Sequence, residues 1–164
     1  MNFAASIRRR LASSSGTDLL LGTLVSLVAV KYALMAADRI SSSELSLGWQ
    51  HLWALGEGDA WKPWKWFSYA FLHADLYHAL WNLLILHFVG HAWEDRRGHR
   101  SPWWLFLSGA AVGAIVFMAL TTADETYHQL VGASAGTTAV LGALTVRQPR
   151  FQTKLAFWWV PLYA

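Results

Sequence analysis

Two short stretches carry side chains whose types and spacing could do chemistry. One is "GASAG", Gly132 to Gly136, where Ser134 stands among glycines and alanines just inside the apolar run "LVGASAGTTAVLGALTV". The other is "HADLYHALWN", which holds His73, His78 and Asn82. His78 and Asn82 are four residues apart and so share one face if the stretch is helical. Read as helices entered from the same side, the two stretches place a hydroxyl, an imidazole and a carboxamide within one or two turns of one surface, with Ser134 about 6 Å below the helix end. A serine can attack a carbonyl carbon. The Asn82 amide, an N–H of His78 and the Ser134 backbone N–H can hold the oxyanion that forms. Gly132, Ala133, Ala135 and Gly136 leave room for a substrate backbone and for a neighbouring helix. Each stretch alone also has a plainer reading: a serine among small residues packs helices together, and a His/Asn pair can be a structural polar pair. Polar groups at membrane depth are costly, which favours function. Spacing alone does not reach a specific enzyme.

The elements that must position these residues read as membrane helices. The chain has 164 residues, 55% hydrophobic and only 14% charged, with eleven tryptophans. A soluble domain averages about 25% charged residues. Apolar runs cover Leu19–Ala37, Leu76–Trp93, Trp103–Leu120 and Leu130–Val146, and a fifth begins near Leu155. About 20 residues cross a bilayer; the shorter runs can span with Trp and Arg at the interface. Four runs in succession set aside a soluble domain of buried core helices. The first run is longer than the apolar region of a signal peptide, so it is expected to be retained. Its Gly22, Ser26, Ala29 and Ala33 form a small-residue stripe suited to packing against another helix. Lys31 falls roughly opposite, where its stem could snorkel outward; no function is assigned to it. The absence of cysteine excludes disulfides and thiolate metal sites, and a net charge of +3 gives no argument for nucleic acid.

Orientation follows from the basic residues. Arg8, Arg9, Arg10, Arg96, Arg97, Arg100, Arg147, Arg150 and Lys154 share one side, against Arg39, Lys62 and Lys65 on the other. The N-terminus is therefore expected in the cytoplasm, with residues 1–18 as a tail and 19–164 as the transmembrane domain. The connection "TTADETYHQ" lies outside. So does the long segment Asp38–Phe71, which is dense in aromatics around "WKPWKWFSYAF" and is expected to be a structured loop partly in the outer leaflet.

Together these motifs resemble the rhomboid intramembrane serine proteases. "HADLYHALWN" is similar to their second-helix motif, and Glu94 in "GHAWEDRRG" matches the acidic residue that ends that helix. "PWKWFS" resembles their Trp-Arg loop motif, with Trp64 in register and Lys65 at the Arg position. "GASAG" resembles their Gly-x-Ser-Gly motif. The resemblance runs from about Pro63 to Pro149. It implies an all-α, polytopic bundle of six transmembrane helices, about five of them present here. Ser134 would be the nucleophile, with His78, Asn82 and the Ser134 N–H as the oxyanion hole. His73 would support the mouth, Lys65 would anchor the loop and Glu94 would be structural near the cytoplasmic end. The reaction implied is hydrolysis of a peptide bond in or near the transmembrane segment of membrane-protein substrates, in a multi-pass protein of a prokaryotic plasma membrane. Neither a metal nor an organic cofactor is implied.

Three departures qualify this. Ala135 replaces the second motif glycine, and Lys65 cannot reproduce the bidentate bonding of Arg. The family's general base is a His on the sixth helix, whereas the histidines here are 51, 73, 78, 87, 91, 99 and 128. The fifth apolar run is cut off at Ala164, so a truncated protein is expected: inactive over these 164 residues, active in a longer parent. The alternative within the fold is a pseudoprotease that binds membrane clients without cleavage. A rival from another class, a membrane metal or haem protein, would use His87 and His91, also four apart. They lie roughly opposite His78 and Asn82 around the helix, and polar packing is the preferred reading.

Overall fold

The structure is a computed structural model that describes residues 15–121 and 128–147, together with the backbone of two strands within 152–161. The expected tail before residue 15, the middle of the acidic connection at 122–127 and the side chains of Arg150 and Lys154 lie outside the described residues.

Helix α1, Gly16–Ser41, begins where the Ser15 hydroxyl accepts from the Asp18 N–H, an N-cap that satisfies one of the orphan donors of the first turn. It ends at Ser42, in the left-handed region at φ 52°. Its inward face is Gly16, Thr17, Leu20 and Leu24. The small-residue stripe falls elsewhere: Gly22, Ser26, Ala29 and Ala33 are all exposed. The close approach of α1 to its neighbour is made instead by its first turn. A Cβ on Gly90 would come within 2.7 Å of the Thr17 methyl, and one on Gly16 would run into the His99 carbonyl.

The long connection that follows is built of short elements, as its length and aromatic content predict. Asp38 accepts from the Leu45 and Ser46 N–H groups and starts α2, Leu45–Trp53. Strand β1, Leu55–Gly56, a 3-10 turn Asp59–Trp61, the single-turn α3, Lys65–Ser68, and a second 3-10 turn, Tyr69–Phe71, complete it. β1 pairs antiparallel with β2, Gln129–Leu130, with Leu55 opposite Leu130. This ladder ties the first loop to the segment just before Ser134.

Helix α4, Leu76–Arg97, is capped by Asp75, whose carboxylate accepts from the His78 N–H. Helix α5, Ser101–Leu120, starts with Pro102 in its first turn, where a missing N–H costs nothing. Helix α6, Ser134–Arg147, follows β2. α5 and α6 meet through small residues. A Cβ on Gly109 would lie 2.5 Å from the Ala139 methyl and 2.6 Å from the Ala135 carbonyl, and one on Gly113 would lie 2.7 Å from the Ala135 methyl. Only glycine permits such a backbone approach. The buried core, with Leu20, Leu24, Leu86, Phe106, Val140 and Leu144 at its centre, lies among α1, α4, α5 and α6.

Two expectations are corrected. The fourth apolar run does not become helical at Leu130. Gln129 and Leu130 pair with the first loop, and the helix begins at Ser134, because Gly132 sits at φ +122°, a conformation no helix contains. Ser134 is thus the first helical residue, not one buried a turn within. The described residues of the fifth run are not helical either: Leu155 ends strand β3, Gln152–Leu155, which pairs antiparallel with β4, Trp158–Pro161. Thr153, Trp158, Trp159 and Val160 are strand formers, and Pro161 pairs at the open end of the ladder.

Among the described residues, α1 and α5 are long and apolar enough to cross a membrane. α4 has the length but carries histidines and Asn82 along it, and α6 has 14 residues.

Candidate functional site

At one end of the bundle, α4, α6 and the first loop converge. The loop reaches α4 through Leu72–Asp75, and this turn is held by α1: the Lys31 ammonium donates to the His73 carbonyl at 2.6 Å and to the Ala74 carbonyl at 2.5 Å. Lys31 therefore does not snorkel away. It fixes the backbone from which α4 starts. With the turn so held, His73 is buried, only 4% exposed, and its ring stands edge-on to that of His78 at 5.5 Å. Burial above all, and then the charges of His78 and Lys31, push the His73 ring down to about 4. It is neutral at pH 7.

His78 packs against the turn before α6. A Cβ on Gly132 would come 2.5 Å from its Cε1, so that turn demands glycine twice over, for its φ and for the ring on top of it. The Gly132 N–H donates to the Tyr69 carbonyl at 3.0 Å, and the Tyr69 hydroxyl donates to the Ala110 carbonyl at 2.8 Å. One tyrosine thereby links the loop, α5 and the pre-α6 turn. Asn82 is buried, and its amide donates to the His78 carbonyl at 2.9 Å.

Ser134 opens α6 with its side chain exposed. It lines a groove of about 540 Å³ with Ser108, Val112 and Gly113 of α5 and Thr138 of α6. Among the described residues no hydrogen bond joins its hydroxyl to His78 or Asn82. The structure therefore brings His73, His78 and Gly132 into contact, with Asn82 one turn below His78 and Ser134 two residues beyond Gly132. Because Ser134 heads the helix, its own N–H has no intrahelical acceptor and lies at the positive end of the helix dipole.

A family model, Rhomboid domain, matches residues 60–164, more than half of the chain. The chain belongs to the rhomboid family. No curated protein matches it.

This rhomboid is accordingly an all-α membrane bundle. Its matched region begins within the first loop, so α1 precedes it. In that loop Lys65 is almost fully buried and donates to Asp59 at 2.7 Å and to the His51 carbonyl at 2.7 Å. Lys62 binds the other Asp59 oxygen. Burial, the largest influence on Asp59, raises its pKa, but the bonds from Lys62, Lys65 and the Gly56 N–H together outweigh it, and the carboxyl is held below its ordinary range. Two ammonium groups thus engage both oxygens of one carboxylate, as a bidentate Arg would. Trp64 is half-exposed, its indole donating to the Leu52 carbonyl. At the far end of α4, Glu94 accepts from the Ser15 hydroxyl at 2.7 Å and from the Gly16 and Thr17 N–H groups at 2.8 Å, and pairs with His99. It caps α1 from another helix.

Reading the sequence singled out Ser134, His78 and Asn82, which lie at this end of the bundle, and gave no role to Lys31, Asp59, Tyr69 or the glycines of α5. Asp59 offered a signal, an acid three and six residues before Lys62 and Lys65. Gly109 and Gly113, four apart, offered another. Lys31 and Tyr69 offered none, since each acts on backbone carbonyls remote in sequence. The His87 and His91 rings meet edge-on at 4.7 Å, but His91 bonds the His87 carbonyl and Asp18, and among the described residues no group of three ligands gathers for a metal.

Proposed function

We propose that this bundle carries the nucleophile and oxyanion hole of an intramembrane serine endopeptidase, acting on a peptide bond in or near the transmembrane segment of membrane-protein substrates. The observation that carries the reading is the seating of His78 on Gly132, which brings the oxyanion-side helix to within two residues of a serine that heads its own helix. A scissile carbonyl placed over that turn lies between Ser134 Oγ on one side and the donors on the other. The hydroxyl attacks the carbonyl carbon, its proton passing to a base. The oxyanion is held by the Ser134 N–H, the Asn82 amide and a His78 N–H. Collapse expels the amine, which takes the proton, and water then hydrolyses the acyl-enzyme. The missing bond between Ser134 and its oxyanion partners fits this scheme, because the substrate oxygen bridges them.

His73, Gly132, Trp64, Lys65 and Glu94 act as supports. His73 and Gly132 set the position of His78, Lys65 and Trp64 hold the loop, and Glu94 fixes α1. In this reading the N-terminus is cytoplasmic and the groove opens outside, as the distribution of basic residues indicates. The general base is the family's histidine on a further helix, since no histidine among the described residues bonds Ser134. That same observation favours a second reading, a rhomboid pseudoprotease that binds clients through the Ser134 groove without cutting them.

The deciding experiment uses a chain that carries the family's base-bearing helix, reconstituted with a single-span substrate, and compares wild type with Ser134→Ala. Cleavage by wild type and its loss in the variant are expected. Equal cleavage by both removes Ser134 as nucleophile. Binding without cleavage by both supports the pseudoprotease.

A further inference from the structure

Between α1 and the first loop lie two cavities that share a wall. The larger, about 290 Å³, is bounded by Thr23 and Leu27 of α1, Trp49 and Trp53 of α2, Phe71 and Trp103. It is apolar, because the hydroxyls on its wall face backbone: Thr23 donates to the Leu19 carbonyl and Ser68 to the Trp53 carbonyl. The second, about 180 Å³, is reached past Trp49 and Leu72, which line both, and is bounded by Lys31, Gln50 and His73. Thr23, Leu27 and Lys31 are successive steps of four along α1, so the apolar slot and the polar slot lie on one stripe. About 12 Å of helix rise separates Thr23 from Lys31.

The polar slot is bounded by ring nitrogens that lack hydrogen-bond partners. Elsewhere in the loop, the Trp64 and Trp66 indoles donate to the Leu52 and Ala60 carbonyls. On the wall of the polar slot the Trp49 indole nitrogen and both ring nitrogens of His73 are buried with no partner among the described residues, as is the Trp53 indole nitrogen beside the apolar slot. Lys31 uses two of its three N–H groups on the carbonyls of His73 and Ala74. Asp75, whose charge reaches both Lys31 and His73, is engaged as the cap of α4. Buried indole N–H groups normally find an acceptor, and leaving one unpaired is costly. An occupant that satisfies both cavities has hydrocarbon at one end and oxygen acceptors, with negative charge for Lys31, at the other.

We propose that one glycerophospholipid of the bilayer docks here, an acyl chain in the slot lined by Trp49, Trp53 and Trp103, and its ester and phosphate oxygens accepting from Trp49, Lys31 and His73. The lipid would join α1 to the first loop at the residue that Lys31 already clamps. This is independent of the chemistry of Ser134.

The test is native mass spectrometry of the full chain, extracted in mild detergent from bilayers of phosphatidylglycerol and phosphatidylethanolamine. Wild type is expected to retain one phospholipid per chain. Leu27→Trp, which fills the apolar slot, and Trp49→Phe, which keeps the ring but removes the N–H, are each expected to lower the retained lipid about tenfold, the equivalent of about 1.4 kcal/mol. Val25→Trp, on the exposed face of α1, should leave it unchanged. Circular dichroism melts confirm that the variants are folded; should Leu27→Trp unfold the chain, Trp49→Phe decides alone. A wild type that retains no lipid, retention equal in all four chains, or displacement of the lipid by inorganic phosphate alone each overturns the proposal.

Discussion

Glu94 and His73 are ionisable groups buried to nearly the same degree, 6% and 4% exposed, at opposite ends of α4. They are treated in opposite ways. Glu94 collects a hydroxyl, two backbone N–H groups and His99. His73 has no side-chain hydrogen bond among the described residues. A buried polar group without partners is costly, so the unsatisfied end persists only because something else holds it. That something is backbone: Lys31 on two carbonyls, Gly132 on the Tyr69 carbonyl, and the β1–β2 pair. The Glu94 end is fastened through its side chains. The other end is fastened through its main chain, which leaves its side chains available to another molecule.

The sharpest way to break this contrast is to remove one side chain from each end and ask what is lost. In a chain that carries the family's base-bearing helix, Asn82→Ala should lower kcat by about 10²–10³, the loss typical of one oxyanion donor, with the melting temperature nearly unchanged. The amide's only hydrogen bond in the described structure is to its own helix, so little folding energy depends on it. A variant that loses stability in step with activity would make Asn82 a structural residue.

Glu94→Gln tests the other end and should do the reverse. The amide keeps the shape and one acceptor oxygen but loses the charge that the first turn of α1 and His99 address. A loss of about 1.5–3 kcal/mol is expected, as for hydrogen bonds to a charged group, read from denaturant or thermal unfolding. Turnover per folded molecule should be unchanged. A fall in kcat at unchanged stability would show that the two ends are coupled through α4 and not separately fastened.

How much of this could be read beforehand follows the same division. The runs at Leu19, Leu76 and Trp103 gave helices because length and apolarity are local properties, and the pairing of His78 with Asn82 needed only helical spacing. The start of α6 was misplaced because the run of apolar residues continues through Leu130 and Val131, and only the φ of Gly132 and the pairing of β2 with a loop more than seventy residues earlier interrupt it. The inward face of α1 was misjudged for a similar reason. Its small residues made an attractive stripe, but the contact is set by Gly90 and by the carboxylate of Glu94, both on another helix. Lys31 has the same origin: a lysine on an apolar helix is explained by carbonyls that sequence spacing does not bring near it. What was legible lies along single elements, and what was not lies in backbone contacts between them. At the His73 end those contacts are most of what holds the site.

The smallest effect expected is a pH dependence, and it bears on the contrast directly. The folded pKa of His73, about 4, lies below its ordinary value of 6.5, so the unfolded chain takes up a proton that the folded chain refuses. The stability associated with the neutral ring is then fully present above pH 6.5 and is lost as the pH falls from there toward 4, by at most about 1.4 kcal/mol per unit. Below 4 this contribution is flat. Lys31 from α1, Asp75 at the cap of α4 and His78 within it are the charged or titratable groups that act on the ring. Melts of wild type and His73→Gln between pH 7 and 4 separate the two histidines, since the variant keeps His78. Wild type should lose stability more steeply than the variant across this window. Parallel curves would mean that the folded chain protonates His73 as readily as the unfolded one, so that the ring is not isolated, and the opposition between the two ends of α4 would rest on Glu94 alone.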